Sequence, residues 1–246
     1  MKPFQPDYKG ARVQASPNCG PRVGCDGPDI LLLHYTGMPS AEGALSWLCN
    51  PESQVSSHYF VHEDGRIVQL VPEGMRAWHA GKSFWAGETD INSRSIGIEI
   101  ANAGHPAGLP PFPDRQIEAL IELCHDCVSR WQIAPERVLG HSDVAPVRKI
   151  DPGENFPWGR LHAAGIGHHV EPVPVGGGRF FQRGDRGQPV EALQSMLSLY
   201  GYNVEITGDF DEKTEGVVAA FQRHFRPERV DGIADMSTVE TLHHLL

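Results

Sequence analysis

Apolar positions in the first two thirds of the chain fall mostly in short runs bounded by turn residues. Ile30-Leu31-Leu32-Leu33 is one such run, the pattern of a fully buried strand, with His34 at its end and Tyr35-Thr36-Gly37 following. Ser40 is placed to cap a short helix carrying Ala44, Leu45 and Leu48. His58–Val61 and Ile67–Val71 flank Glu63-Asp64-Gly65-Arg66, and the Asp-Gly pair predicts a β-hairpin. Ser95–Ile100 alternates and reads as another strand. Asp114 is read as the cap of a long helix whose apolar face is Ile117, Leu120, Ile121, Cys124, Cys127, Val128 and Trp131. Val138-Leu139 predicts a further short strand that ends at His141. Residues 1–29, polar and rich in Pro and Gly, read as an irregular arm.

Between Gly165 and Arg179 the periodicity stops. The segment reads as a linker with a stiff Pro-spaced half and a flexible Gly half. Beyond it, three helical stripes follow: Val190, Leu193, Met196, Leu197 and Tyr200, ended by Gly201; Val217, Val218, Phe221 and Phe225; and Val239, Leu242 and Leu246, opened by Ser237 and Glu240 as a capping box. Gly, Asp and Thr recur at an offset of 24 (208→232, 211→235, 214→238), each copy a tight turn feeding a helix cap. Two copies suit a small three-helix module. The expected division is an arm (1–29), an α/β domain with a mixed sheet and flanking helices (30–164), a linker (165–179) and a small all-α module (180–246).

Composition narrows the function classes. With Lys+Arg at 21 and Asp+Glu at 31, the 246 residues carry a net charge of −10, which argues against nucleic acid and anionic membrane surfaces as partners. Five Cys do not make a disulfide scaffold. Cys124 and Cys127 lie on the apolar stripe and read as core thiols. No run reaches the ~20 apolar residues of a transmembrane helix, and the N-terminus lacks an apolar signal region. The expected location is therefore the cytoplasm, with the periplasm or cell envelope as the alternative.

His34, His141 and Asp151 are the residues that suggest a centre. Two imidazoles and a carboxylate with one position left open match a catalytic zinc set, although their spacing is not diagnostic. Asp151-Pro152-Gly153 also reads as a simple turn. Glu99, alternating with Ile98 and Ile100, faces solvent by pattern alone, and Lys149 beside Arg148 reads as a solvated loop residue.

The segments LLLHYTG, SSHYFVHEDGRIVQLVPEGMRAWHAG, NSRSIGIEIAN and GHSDVAPVRKIDPG occur in this order between Ile30 and Trp158. This stretch resembles the zinc-dependent N-acetylmuramoyl-L-alanine amidases, whose fold is shared with peptidoglycan recognition proteins. Residues 183–246, through Gly184-Asp185-Arg186-Gly187, Val190-Glu191-Ala192-Leu193-Gln194, Gly201-Tyr202 and Ala220-Phe221-Gln222, resemble a small peptidoglycan-binding module. The resemblance implies one Zn2+ per chain held by His34, His141 and Asp151. It implies Glu99 and Lys149 as catalytic groups, and His58, Trp78, His79, Asn102, Arg148 and Tyr35 as cleft residues that meet a peptidoglycan or muropeptide substrate. Trp78 also reads as a core residue, and His58 as a structural hydrogen-bonder. Some relatives carry Tyr before the hairpin His and tend to lack the Glu; Ser57 together with Glu99 is the reciprocal pairing. Val147 stands where close relatives commonly have Gly. The expected reaction is hydrolysis of the amide between the lactyl group of N-acetylmuramic acid and L-Ala. The alternatives are a non-catalytic recognition protein, a zinc peptidase acting within the stem peptide, and a phage-type lytic amidase.

Overall fold

The computed structural model describes residues 4–246; the first three residues of the arm lie outside the described residues. In chain order the elements are β1 (Ala11–Val13), β2 (Cys19–Pro21), β3 (Ile30–Tyr35), α1 (Ala41–Leu48), β4 (Tyr59–Val61), β5 (Ile67–Gln69), β6 (Met75–Ala77), α2 (Ile91–Arg94), β7 (Ser95–Ile100), α3 (Asp114–Trp131), β8 (Val138–Gly140), α4 (His141–Val144), α5 (Trp158–Ala163), β9 (Phe180–Phe181), α6 (Gln188–Tyr200), α7 (Glu212–Phe225), β10 (Ala234–Asp235) and α8 (Met236–Leu245).

Among the described residues the main sheet has six strands in the order β1-β5-β4-β7-β3-β8. β3 runs parallel to both β7 and β8. A strand covered on both faces has no polar side, which accounts for the unbroken apolar run of Ile30–Leu33. Leu31 and Leu33, with Ile96, Ile98 and Ile100 of β7, form one core with α3. Ile30 and Leu32 belong to a second core on the opposite face. His34 follows on that second face by alternation. The predicted hairpin forms with Tyr59 opposite Gln69 and Val61 opposite Ile67. Gly65 takes the left-handed φ of +85° that its turn demands.

Three expectations change. The arm is not wholly irregular: β1 adds to the sheet edge parallel to β5, and β2 pairs with β6. Three-residue strands with partners more than fifty positions away leave no local periodicity. Asp114 is the first helical residue of α3 rather than its cap, which is Pro113; there the carboxylate still favours the helix end. Asp235, not Ser237, caps α8 by accepting from Thr238 N–H at 2.8 Å. The Ser237 hydroxyl donates to Val173 O instead.

The 24-residue repeat has a structural counterpart. Gln194 Oε1 accepts from the N–H groups of Thr207 and Gly208, and Gln222 Oε1 accepts from Asp231 and Gly232, each at 2.9–3.0 Å. Their amide nitrogens donate to the hydroxyls of Thr214 and Thr238 respectively. Each buried glutamine thus ties a glycine turn to the start of the next helix. Gly208 and Gly232 both take φ near +75°.

The helical module is not separated from the sheet. Val190, Leu193, Leu197, Phe221 and Phe225 share one continuous core with Ile30, Leu32, Trp85, Ile91 and Leu139. Trp85 is 1% exposed, its ring meeting Tyr200 and Tyr202 edge-on. Residues 165–179 contain no helix or strand, yet they are tethered. Val173 N–H donates to Thr241 Oγ1, and Val170 packs against the shared core.

Candidate metal centre and cleft

His34 lies near the C-terminal end of β3, and His141 opens α4 directly after β8. Parallel strand ends of this kind are where open α/β sheets place ligands. The module and α1 cover other parts of the same sheet face, so the strand ends face a cleft of about 510 Å³. His34, Glu99, His141, Lys149 and Asp151 all line it.

The three candidate ligands converge. His34 Nδ1 lies 3.0 Å from His141 Nδ1, and each lies 3.1 Å from Asp151 Oδ2. The protonation of each ring follows from its far nitrogen. His141 Nε2 faces the Ala80 carbonyl at 3.0 Å, so Nε2 carries the proton and Nδ1 presents a lone pair. The Ser95 hydroxyl donates to Ile91 O at 2.6 Å and therefore accepts from His79 Nε2–H at 3.3 Å. His79 Nδ1 is then an acceptor, and His34 Nε2–H donates to it at 3.1 Å. His34 Nδ1 is thus bare as well. Two bare imidazole nitrogens at 3.0 Å repel unless a cation lies between them. Together with a carboxylate oxygen they form a donor set that suits zinc. Burial, then the neighbouring His141, pushes His34 down to about 4. Burial raises Asp151, but the two imidazoles outweigh it and hold the carboxyl well below its ordinary range. Both groups therefore stay in the unprotonated form that binds metal.

Glu99 differs from its alternation pattern. β7 is covered on both faces, so the half-buried side chain points into the cleft rather than onto an open surface. Its Oε2 is buried with no hydrogen-bond partner. Burial, reinforced by the charge of Asp151 and opposed by Lys149, raises its proton affinity well above that of an ordinary glutamate.

The other sequence candidates divide into two groups. Tyr35, Trp78, His79 and Arg148 line the cleft. The Tyr35 hydroxyl pairs with His105 Nδ1 at 2.9 Å, and the Arg148 guanidinium donates to Ala80 O and Lys82 O at 2.6 and 2.8 Å. His79 also packs so closely on β7 that a Cβ at Gly97 would lie 2.5 Å from its ring, so only glycine fits there. His58 and Asn102 lie behind the cleft wall. His58 Nδ1 accepts from Gly97 N–H, and its Nε2 donates to Met75 O. Asn102 bonds Pro110 O and Gly104 N–H, shaping the loop after β7. Ser57, in the place where some relatives carry Tyr, is buried and bonds Tyr59 O. The sequence pattern does not reveal Ser95 and the Ala80 carbonyl, which set the two tautomers. A serine at a strand start and a backbone carbonyl leave no motif.

Both parts of the chain resemble known proteins. The N-acetylmuramoyl-L-alanine amidase family model matches residues 25–154, and a peptidoglycan binding domain model matches residues 186–242. The chain is 41% identical over 232 residues to the N-acetylmuramoyl-L-alanine amidase AmiD of Escherichia coli (strain K12), covering 88% of this chain and 82% of that one. It is 32% identical over 170 residues to the 1,6-anhydro-N-acetylmuramyl-L-alanine amidase AmpD of Enterobacter cloacae, covering 62% and 89%. Among solved structures, the complex of Escherichia coli AmiD with anhydro-N-acetylmuramic acid-L-Ala-D-gamma-Glu-L-Lys superposes with a TM-score of 0.76 at 37% identity, covering 95% of this chain and 92% of that chain. AmpDh3 from Pseudomonas aeruginosa gives 0.71 at 31% identity, covering 100% and 98%.

Proposed function

This chain belongs to the N-acetylmuramoyl-L-alanine amidase family of amide hydrolases, and from that premise we propose how its residues divide the work of cutting the bond between the lactyl group of N-acetylmuramic acid and L-Ala. The observation that carries the proposal is the convergence of His34 Nδ1, His141 Nδ1 and Asp151 Oδ2 in the cleft that Glu99 also lines with a buried, unpartnered Oε2. The three donors would hold one zinc ion per chain. A zinc ion there would supply Lewis acidity for the scissile carbonyl and for a water near neutral pH.

Glu99 takes the proton from the attacking water, and burial strengthens its hold on that proton. As the C–N bond breaks, the same carboxyl returns that proton to the departing alanine nitrogen. The Lys149 ammonium sits on the cleft wall and stabilises the negative charge that collects on the carbonyl oxygen. Tyr35, Trp78 and Arg148 offer hydroxyl, indole and guanidinium surfaces to sugar and peptide. His79 supports the centre by orienting His34. The products are a lactyl carboxylate and a peptide with a free N-terminal alanine.

The AmiD complex holds an anhydro-muropeptide, and AmpD is named for such a substrate. This supports acceptance of anhydro-muropeptides by this chain. The module matching a peptidoglycan binding domain supports action on the polymer as well, in wall turnover or recycling. It also favours the cell envelope over the cytoplasm as the place of action, which fractionation of native cells tests. No helix among the described residues is long and apolar enough to cross a membrane. A non-catalytic recognition protein would not require a complete donor set with an adjacent buried carboxylate.

The test is digestion of an anhydro-muropeptide and of isolated peptidoglycan, with zinc counted by elemental analysis and products read by mass spectrometry. Intact stem peptides beginning with free alanine are expected. Cleavage inside the stem peptide, or no cleavage by a zinc-loaded sample, overturns the reading.

A further inference from the structure

Asp143 is the third residue of α4, two positions after His141, and its side chain is 1% exposed. A carboxylate so buried is costly unless its oxygens are fully engaged. One partner is local: Gly140 N–H donates to Oδ2 at 2.7 Å and closes the turn from β8 into α4. The other two come from the helical module. Tyr202 donates its hydroxyl proton to Oδ1 at 2.7 Å, and His224 Nδ1 donates to Oδ2 at 2.7 Å. Both donors are themselves held by packing. The His224 ring is stacked between Trp158 and Phe225, with centroids 3.7 and 3.9 Å away, and the Tyr202 ring meets Trp85 at 4.9 Å.

A four-residue helix has too few internal bonds to fix its own orientation. α4 is therefore oriented by what grips it. Phe84 N–H bonds Val144 O, and Ser142 N–H bonds Asp151 O. His141 Nε2–H bonds Ala80 O, and Val144 is buried in the shared core. Asp143 adds the hydrogen bonds to side chains of the helical module.

We propose that Tyr202 and His224 are positioning residues for the amidase reaction: through Asp143 they fix α4, and with it the placement of His141 Nδ1 against His34 and Asp151. The helical module is then a structural part of the metal centre as well as a wall-binding unit. This inference rests on His141 being a metal ligand. Its distinctive consequence is that the module affects turnover of a small soluble muropeptide, which needs no wall anchoring.

Tyr202→Phe and His224→Phe, singly and together in the full chain, remove the two donors while keeping a ring in each stack. Readouts are kcat and KM on a soluble anhydro-muropeptide, zinc affinity by chelator competition, and the visible absorption of the cobalt-substituted protein. The expected result is a loss of about 10–100-fold in zinc affinity or kcat, as for other outer partners of metal ligands, with KM unchanged and the cobalt band altered. Leu242→Ala, a buried change in α8, is the control for general weakening of the module and keeps wild-type kcat and cobalt absorption. The proposal is overturned if the Phe variants lower only the melting temperature. It is equally overturned if Leu242→Ala, at matched thermal loss, reproduces their changes. If the double variant does not fold, Tyr202→Phe alone is measured in the same way, and the same outcomes support or overturn the proposal. A wild-type chain that binds no zinc would instead reject the underlying ligand assignment.

Discussion

Glu99 stands in register with His34 across the β7–β3 ladder, so the cleft's unpartnered carboxylate and a metal ligand sit on adjacent strands of one rigid sheet. The backbone thus sets their spacing before any substrate arrives. Glu99→Gln keeps the size and strand position of the side chain but removes its ability to carry a proton. The variant should retain zinc and lose turnover by about 10²–10⁴-fold, the range for a positioned acid–base group. Zinc content and kcat measured on the same sample check this. Full activity would exclude Glu99 from the proton path.

Lys149 is half-buried on the cleft wall, whereas the neighbouring Arg148 ties one guanidinium nitrogen to the carbonyls of Ala80 and Lys82. Lys149→Met removes the charge and keeps the chain length. We expect kcat to fall by about 10²–10³-fold, the usual cost of removing one group that stabilises an oxyanion, with zinc binding retained. A change confined to KM would mean that Lys149 binds the ground state rather than the transition state.

His58 makes a prediction about stability rather than turnover. Burial, then the nearby Arg22 guanidinium, pushes it down to about 3. The ring stays neutral in the fold, while the unfolded chain takes up a proton near ~6.5. The unfolded state therefore binds more protons at acid pH. The stabilisation is complete above about pH 6.5 and is lost as pH falls toward 3, at about 1.4 kcal/mol per pH unit for this residue. Denaturant titrations between pH 7 and 4 should show His58→Asn with a shallower dependence than wild type. Parallel curves would show that His58 is not protonated differently in the two states.

Local pattern revealed β3, the hairpin and α3 because each buries residues at its own period. It revealed His34 and His141 only as isolated residues at strand ends. Their meeting with Asp151 depends on how β3 and β8 pair, which is a property of the whole sheet. Alternation misread Glu99 because β7 is covered on both faces, so its polar positions mark a cleft rather than a surface. The repeat showed the glycine turns, but their organisers, Gln194 and Gln222, are 28 residues apart rather than 24 and fall outside the register. The docking of the module was hidden most completely. Trp85 is buried by tyrosines more than a hundred residues later in the chain, and nothing near residue 85 marks it as an interface.

That docking yields the last prediction. Trp85 is 1% exposed in the core shared by the sheet and the module, and Ala86 N–H bonds the Gly201 carbonyl beside it. Trp85→Ala leaves a cavity with Tyr200 and Tyr202 on its module side, so the module's hold on the sheet should weaken. A cost of about 3–5 kcal/mol is expected for truncating a buried aromatic of this size. The glycines at 176–178 lie in the segment with no helix or strand and become the natural place of attack once the module opens. Limited proteolysis should therefore convert the variant into two fragments divided near these residues, under conditions in which wild type stays intact. If the variant resists cleavage as well as wild type does, Trp85 is not what holds the two parts together.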